Sequence, residues 1–122
     1  MRKSRAYIIN ITLCLGVLFV ASCGKQHTAE QTVKKFVEEN TKEGVETKRI
    51  GFGDLGTTRH ISDSLAEKMR NNGNELFKND IKYAAMPKGE VYYLRMKYLH
   101  EGDTLQSTFY LDSELKEVVA FK

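Results

Sequence analysis

The chain has 122 residues, 41% of them hydrophobic and 29% charged, with a single proline, Pro87. That length holds one ordinary domain, which excludes a Rossmann domain, a barrel enzyme, a kinase and any multi-domain arrangement, while the composition excludes the disordered and proline-rich classes. The formal charge of +3 belongs to the start: Arg2, Lys3 and Arg5 are three of the 19 basic residues, and the 16 that remain equal the 16 acidic ones. Without its first residues the chain is neutral and lacks the net positive field that draws proteins to phosphate backbones, so nucleic acid is not an expected partner.

The amino terminus has the three parts of a secretory leader. Met1 to Arg5 is short and basic, Ala6 to Val20 is an apolar run of 15 residues, and the small residues Ala21 and Ser22 precede Cys23. A permanent membrane helix needs about 20 apolar residues to cross ~30 Å of hydrocarbon. This run is too short, and Asn10 and Thr12 interrupt it. Val20-Ala21-Ser22-Cys23 resembles the bacterial lipobox, with Val in place of the usual Leu and Ser at the cut. The resemblance implies removal of residues 1–22 and transfer of a diacylglycerol to the Cys23 thiol, with palmitate-type acyl chains. Two or more chains on one residue exceed the marginal anchoring of a single one. An ordinary leader cut after Ser22 is the alternative.

The cysteine count fits that reading. Cys14 lies in the apolar run and Cys23 is the acceptor, so the mature chain keeps no thiol for a disulfide, a catalytic thiolate or a metal. Gly24 follows the anchor where Asp would signal retention on the inner membrane. By the sorting rule of lipoproteins this implies the outer membrane, on its periplasmic face more than at the surface.

The mature chain divides into a short tether, 23–27, and a single domain, 28–122. Thr28-Ala29-Glu30-Gln31 reads as a capping box, with Val33, Phe36 and Val37 repeating at helical spacing and Gly44 closing the helix. A strand is expected over Val45 to Phe52, then a glycine-rich turn. A second helix is expected from the box Ser64-Leu65-Ala66-Glu67, with Leu65, Met69, Leu76 and Phe77 as its inner stripe and a break at Asn71-Asn72-Gly73-Asn74. Ile81 to Ala85 reads as a further strand.

A hairpin closes the chain. Tyr92, Leu94, Met96 and Tyr98 share one face of the strand 91–99, and Leu105, Ser107, Phe109 and Leu111 match them on 104–111. A two-residue turn at Glu101-Gly102 sets Leu94 opposite Phe109 and Tyr93 opposite Tyr110, whereas a turn at Gly102-Asp103 slides the register but keeps the same faces together. The last strand, Leu115 to Phe121, is apolar on both faces in Val118-Val119-Ala120-Phe121.

The expected fold is α+β, with two helices on one face of a three- to five-stranded antiparallel meander. The element order, with Tyr92-Tyr93-Leu94, Phe109-Tyr110-Leu111-Asp112 and Val118-Val119 in its closing part, resembles the small cystatin-like or NTF2-like lipoproteins of bacterial envelopes. It is also similar in outline to outer-membrane assembly lipoproteins, without their Gly-Met-Thr helix start. Neither resemblance assigns a chemical role to any residue.

Candidate chemistry is sparse. Gly51-Phe52-Gly53-Asp54-Leu55-Gly56 spells G-x-G-x-x-G, but no helix opens on it and Asp54 would repel phosphate; a bulged strand end is the expected reading. His27, His60 and His100 are scattered, not at zinc-ligand spacing. Asp54, His60 and Asp63 could meet as an acid/base group, but turn and capping roles explain them equally, and Ser113 lacks a nucleophile elbow. No catalytic residue, metal or cofactor is expected. The outward hairpin face, with Tyr93, Arg95, Lys97 and Tyr110 beside Val91 and Thr108, is the candidate surface for an envelope protein partner, since Tyr and Arg on a rigid strand favour interfaces. The sequence thus points to a lipid-anchored, non-catalytic binding or assembly module. The alternative is a small-molecule-binding or hydrolytic NTF2-like domain with a pocket between helices and sheet.

Overall fold

The computed structural model describes residues 24–122. Cys23, the lipobox and the apolar run lie outside the described residues. The elements are α1 (24–40), β1 (Lys48–Phe52), β2 (Gly56–Thr58), α2 (Asp63–Asn72), β3 (Val91–His100), β4 (Asp103–Leu111) and β5 (Val118–Phe121). The α+β class is as expected: two helices and an open five-stranded antiparallel sheet in the order β1-β3-β4-β5, with β2 pairing β3.

The hairpin takes the register of the Glu101-Gly102 turn, one of the two that its alternation allows. Leu94 faces Phe109, Tyr93 faces Tyr110, Met96 faces Ser107 and Tyr98 faces Leu105. Glu101 and Gly102 both take positive φ, 50° and 82°, the mirror-image turn whose twist suits two antiparallel strands. The sheet face carrying Leu94, Met96, Tyr98, Phe109 and Leu111 packs on Ala29, Val33 and Phe36 of α1. Phe109 stacks on Phe121 at 5.3 Å, and Phe36 meets both rings edge-on. The one buried polar side chain there, Ser107, is satisfied by the Tyr98 hydroxyl at 3.0 Å.

Four local expectations are corrected. Residues 24–27 are helical, so they form no extended tether, and Thr28 is no cap: its Oγ1 donates back to the Gly24 carbonyl at 2.8 Å inside α1. The second helix starts two residues early, because Ser62 in extended conformation accepts the Leu65 N–H and caps it, leaving Leu65 exposed and Ala66 and Met69 buried. It ends at Gly73, whose φ of 72° suits glycine, so Leu76 and Phe77 lie beyond it. Residues 81–85 form no strand. They lie along β5 with an Ala84 N–H bond to Val118, while Arg70 takes the Ala84 carbonyl that a ladder would need.

The placement of α2 is the fourth correction. Ala66 and Met69 pack with Val91, Tyr110, Val119 and Ala120, residues that point away from the α1 side. The two helices therefore sit on opposite faces at the β5 end. A bulge in the β4–β5 pairing makes this possible: Phe109 pairs with Phe121 and Leu111 with Val118, so Val118 and Phe121 share the α1 face despite their odd spacing. Arg70 fastens the arrangement, donating from Nε to the Val119 carbonyl and from Nη2 to the Ala84 carbonyl, each at 2.8 Å.

Candidate functional site

The reverse face of the sheet is covered by α2 only near β5. Farther across, Arg95 faces Thr108 and Lys97 faces Gln106 on β4, and Lys48 of β1 faces Leu99. Arg95, Lys97 and Lys48 are exposed, and none of them pairs with a carboxylate among the described residues. Strand alternation alone gathers these cations, because every second residue of β3 must leave the α1 core. An open patch of this kind attracts an anionic partner while giving up little hydration on its own.

Tyr93 closes one end of the patch. It is half-buried, and the Arg95 guanidinium lies 5.5 Å from its ring centroid. The ring lies flat against Gly56 of β2: a Cβ there would stand 2.5 Å from Tyr93 Cζ. The third glycine of the G-x-G-x-x-G string is thus a seat for a tyrosine, and the string as a whole runs along β3 as edge strand and loop, with Gly53 N–H bonded to the Arg95 carbonyl. The bulge lies at Ile50, and none of these glycines takes positive φ. Gly56→Ala is expected to displace the ring outward. Nitration of Tyr93, followed by peptide mass, should rise, with a stability loss of about 1 kcal/mol because the ring's free end can yield. Unchanged nitration would show that the ring does not rest there.

Tyr110 leaves the patch. It is opposite Tyr93 as expected, but only 6% exposed beneath α2, where Val91 is fully buried. The candidate face therefore reduces to Tyr93, Arg95 and Lys97, with Lys48 added from β1.

The structure also holds a concavity, beside α1. An open groove of about 660 Å³ runs between α1 and the segments 78–84 and 116–118. Phe36 and Tyr83 form its apolar part, their rings 6.0 Å apart, and Lys82, Asp80 and Glu117 stand on its rim. Burial raises the Tyr83 phenol above its usual range, opposed by the charge of Arg70, whose guanidinium lies over the ring at 5.5 Å. The groove arises because 74–78 is strapped to the end of α1, Lys42 N–H to Leu76 and Lys78 N–H to Asn40. No sequence motif marks it; Tyr83 inside an assumed strand was the nearest signal.

The remaining candidates do not assemble. Asp54, His60 and Asp63 are exposed, and no hydrogen bond or ion pair joins their side chains among the described residues. His100 Nδ1 meets the Glu46 carbonyl at 3.0 Å, a contact that ties the hairpin end to the approach of β1. Among the described residues no group of three His, Cys, Asp or Glu side chains is placed to hold a metal ion, and no helix is long and apolar enough to cross a membrane.

Compared with protein families, with curated proteins and with solved structures, the chain shows no match in any of the three. What the fold defines is a small α+β domain with an open basic sheet face.

Proposed function

We propose that this chain is a small lipid-anchored protein of the bacterial cell envelope, held by acylated Cys23 on the periplasmic face of the outer membrane, and that it acts as a non-catalytic binding or assembly module. The leader Met1 to Ser22 and the Val20-Ala21-Ser22-Cys23 lipobox support the anchoring. The observation that carries the binding role is the open reverse face, where Arg95 and Lys97 stand exposed beside Tyr93 with no carboxylate partner among the described residues. The partner is an envelope protein with an acidic surface.

A photoreactive amino acid at position 97 tests this in intact cells. The expected result is one discrete protein adduct that disappears with Arg95→Glu while the melting temperature stays the same. Adducts that persist unchanged in Arg95→Glu would contradict the binding role of this face. The groove at Phe36 and Tyr83 favours a second reading, a small-molecule carrier. Under it, Tyr83→Ala and not Arg95→Glu would abolish function.

A further inference from the structure

The edge strand β1 carries an exposed apolar residue that the core does not use, beside Lys48, which also borders the sheet face, and Arg49, whose guanidinium lies 5.5 Å from the Phe52 ring. Ile50 is 54% exposed, an apolar side chain at the bulge between Arg49 and Gly51. Lys48 and Arg49 precede it, both exposed and neither paired with a carboxylate among the described residues. A bulge and basic residues blunt an edge against pairing with another chain. That accounts for Lys48 and Arg49. It does not account for an exposed isoleucine where a polar residue would bulge equally well.

The chain also enters the fold beside this strand. Gln26 clamps the first turn of α1 to the loop that follows β1: its Nε2 donates to the Gly53 carbonyl at 3.0 Å and its Oε1 accepts the Leu55 N–H at 2.8 Å. Gly24, to which Cys23 is joined, precedes that clamp by ~3 Å of helix axis. An acylated Cys23 would attach lipid one residue before Gly24, on the side of the sheet where the loop after β1 meets α1. Lys25 adds a third cation at the start of α1, while Glu46 and Asp54 flank β1 in sequence with two carboxylates that form no ion pair with it among the described residues.

We propose that the β1 edge rests on an anionic lipid surface, with Ile50 in the boundary between headgroups and acyl chains and Lys48 and Arg49 among the phosphates. Cations near such a surface are drawn to it, and an apolar side chain next to them gains by leaving water. The proposal rests on the acylation of Cys23 and adds an orientation to it. The sheet stands on its β1 edge, and Tyr93, Arg95 and Lys97 stay open to a partner.

The test uses the mature acylated protein, in which an introduced cysteine is the only free thiol. An environment-sensitive fluorophore is attached at Ile50→Cys, or at Lys97→Cys as the control, and the protein is reconstituted in vesicles of phosphatidylcholine with phosphatidylglycerol that contain a lipid-borne quencher. The expected result is a blue shift and strong quenching at position 50 and little of either at position 97. Quenching at 50 should fall severalfold in vesicles of phosphatidylcholine alone, and likewise with Lys48→Glu plus Arg49→Glu. A label at 50 that stays in water, or one quenched equally in both kinds of vesicle, overturns the edge assignment while the anchor stands. Quenching at 97 equal to that at 50 overturns the orientation. Intact mass without acyl groups on Cys23 overturns the anchoring reading, and the edge assignment falls with it.

Discussion

Phe109→Ala is expected to lower the stability of the domain by about 3–5 kcal/mol, read from urea or thermal unfolding. The ring is fully buried at the centre of the α1-facing core, stacked on Phe121 and met edge-on by Phe36. Removing it withdraws packing from β3, α1 and β5 at once. Leu94, directly opposite and fully buried, should cost about 2–5 kcal/mol on truncation. For a domain of this size either loss is a large share of the total. A Phe109→Ala protein that melts as the parent does would place the core elsewhere.

The second large effect separates two tyrosines that face each other across the hairpin. Tyr110→Ala should cost roughly 3 kcal/mol, because it empties the cluster that holds α2 on the sheet. Tyr93→Ala should cost roughly 1 kcal/mol, since its ring is half-buried against Gly56 and one side remains in water. Hydrogen exchange in α2 gives a local readout: Tyr110→Ala should speed it and Tyr93→Ala should not. Equal effects of the two substitutions would mean that α2 does not lie over Tyr110.

These contrasts show what was legible in the sequence. The faces of the hairpin are legible in the sequence, because period-two alternation keeps the same residues together in either register that fits, and the structure takes the one set by the Glu101-Gly102 turn. The reverse-face cover was not. An antiparallel sheet commonly leaves one face wet, so Tyr110 and Val91 were assigned to solvent. The contrary signal stood in the last strand, where Val118-Val119-Ala120-Phe121 is apolar on both faces and all four residues are buried. A strand so patterned needs cover on both sides, and among the described residues α2 supplies it on the side away from α1. The helix starts were misplaced for a related reason. Thr28 and Ser64 each fit a capping box, but local hydrogen-bonding capacity does not decide which candidate lies at the helix end: α1 already runs through residues 24–27, and Ser62 takes the cap two residues earlier.

The candidate face was legible in part. Arg95 and Lys97 point outward because alternation requires it, and the structure adds Lys48 through the β1 pairing. Tyr110 belongs to the second cluster because α2 packs over it, and the groove at Tyr83 depends on where the irregular segment 78–84 packs; periodicity encodes neither. Residues 81–85 show this directly: their alternation suggested a strand, and Arg70 caps the carbonyl that a strand would have used.

The central claim is that the domain is tethered to lipid through Cys23. Intact mass of the protein extracted from membranes tests it most directly. The expected product is a mature chain beginning at Cys23 and heavier than its sequence by one thioether-linked diacylglyceryl group in place of the thiol hydrogen, with or without a further acyl group, and an uncleaved precursor for Cys23→Ala. A water-soluble product that begins at Cys23 with a free thiol would contradict it.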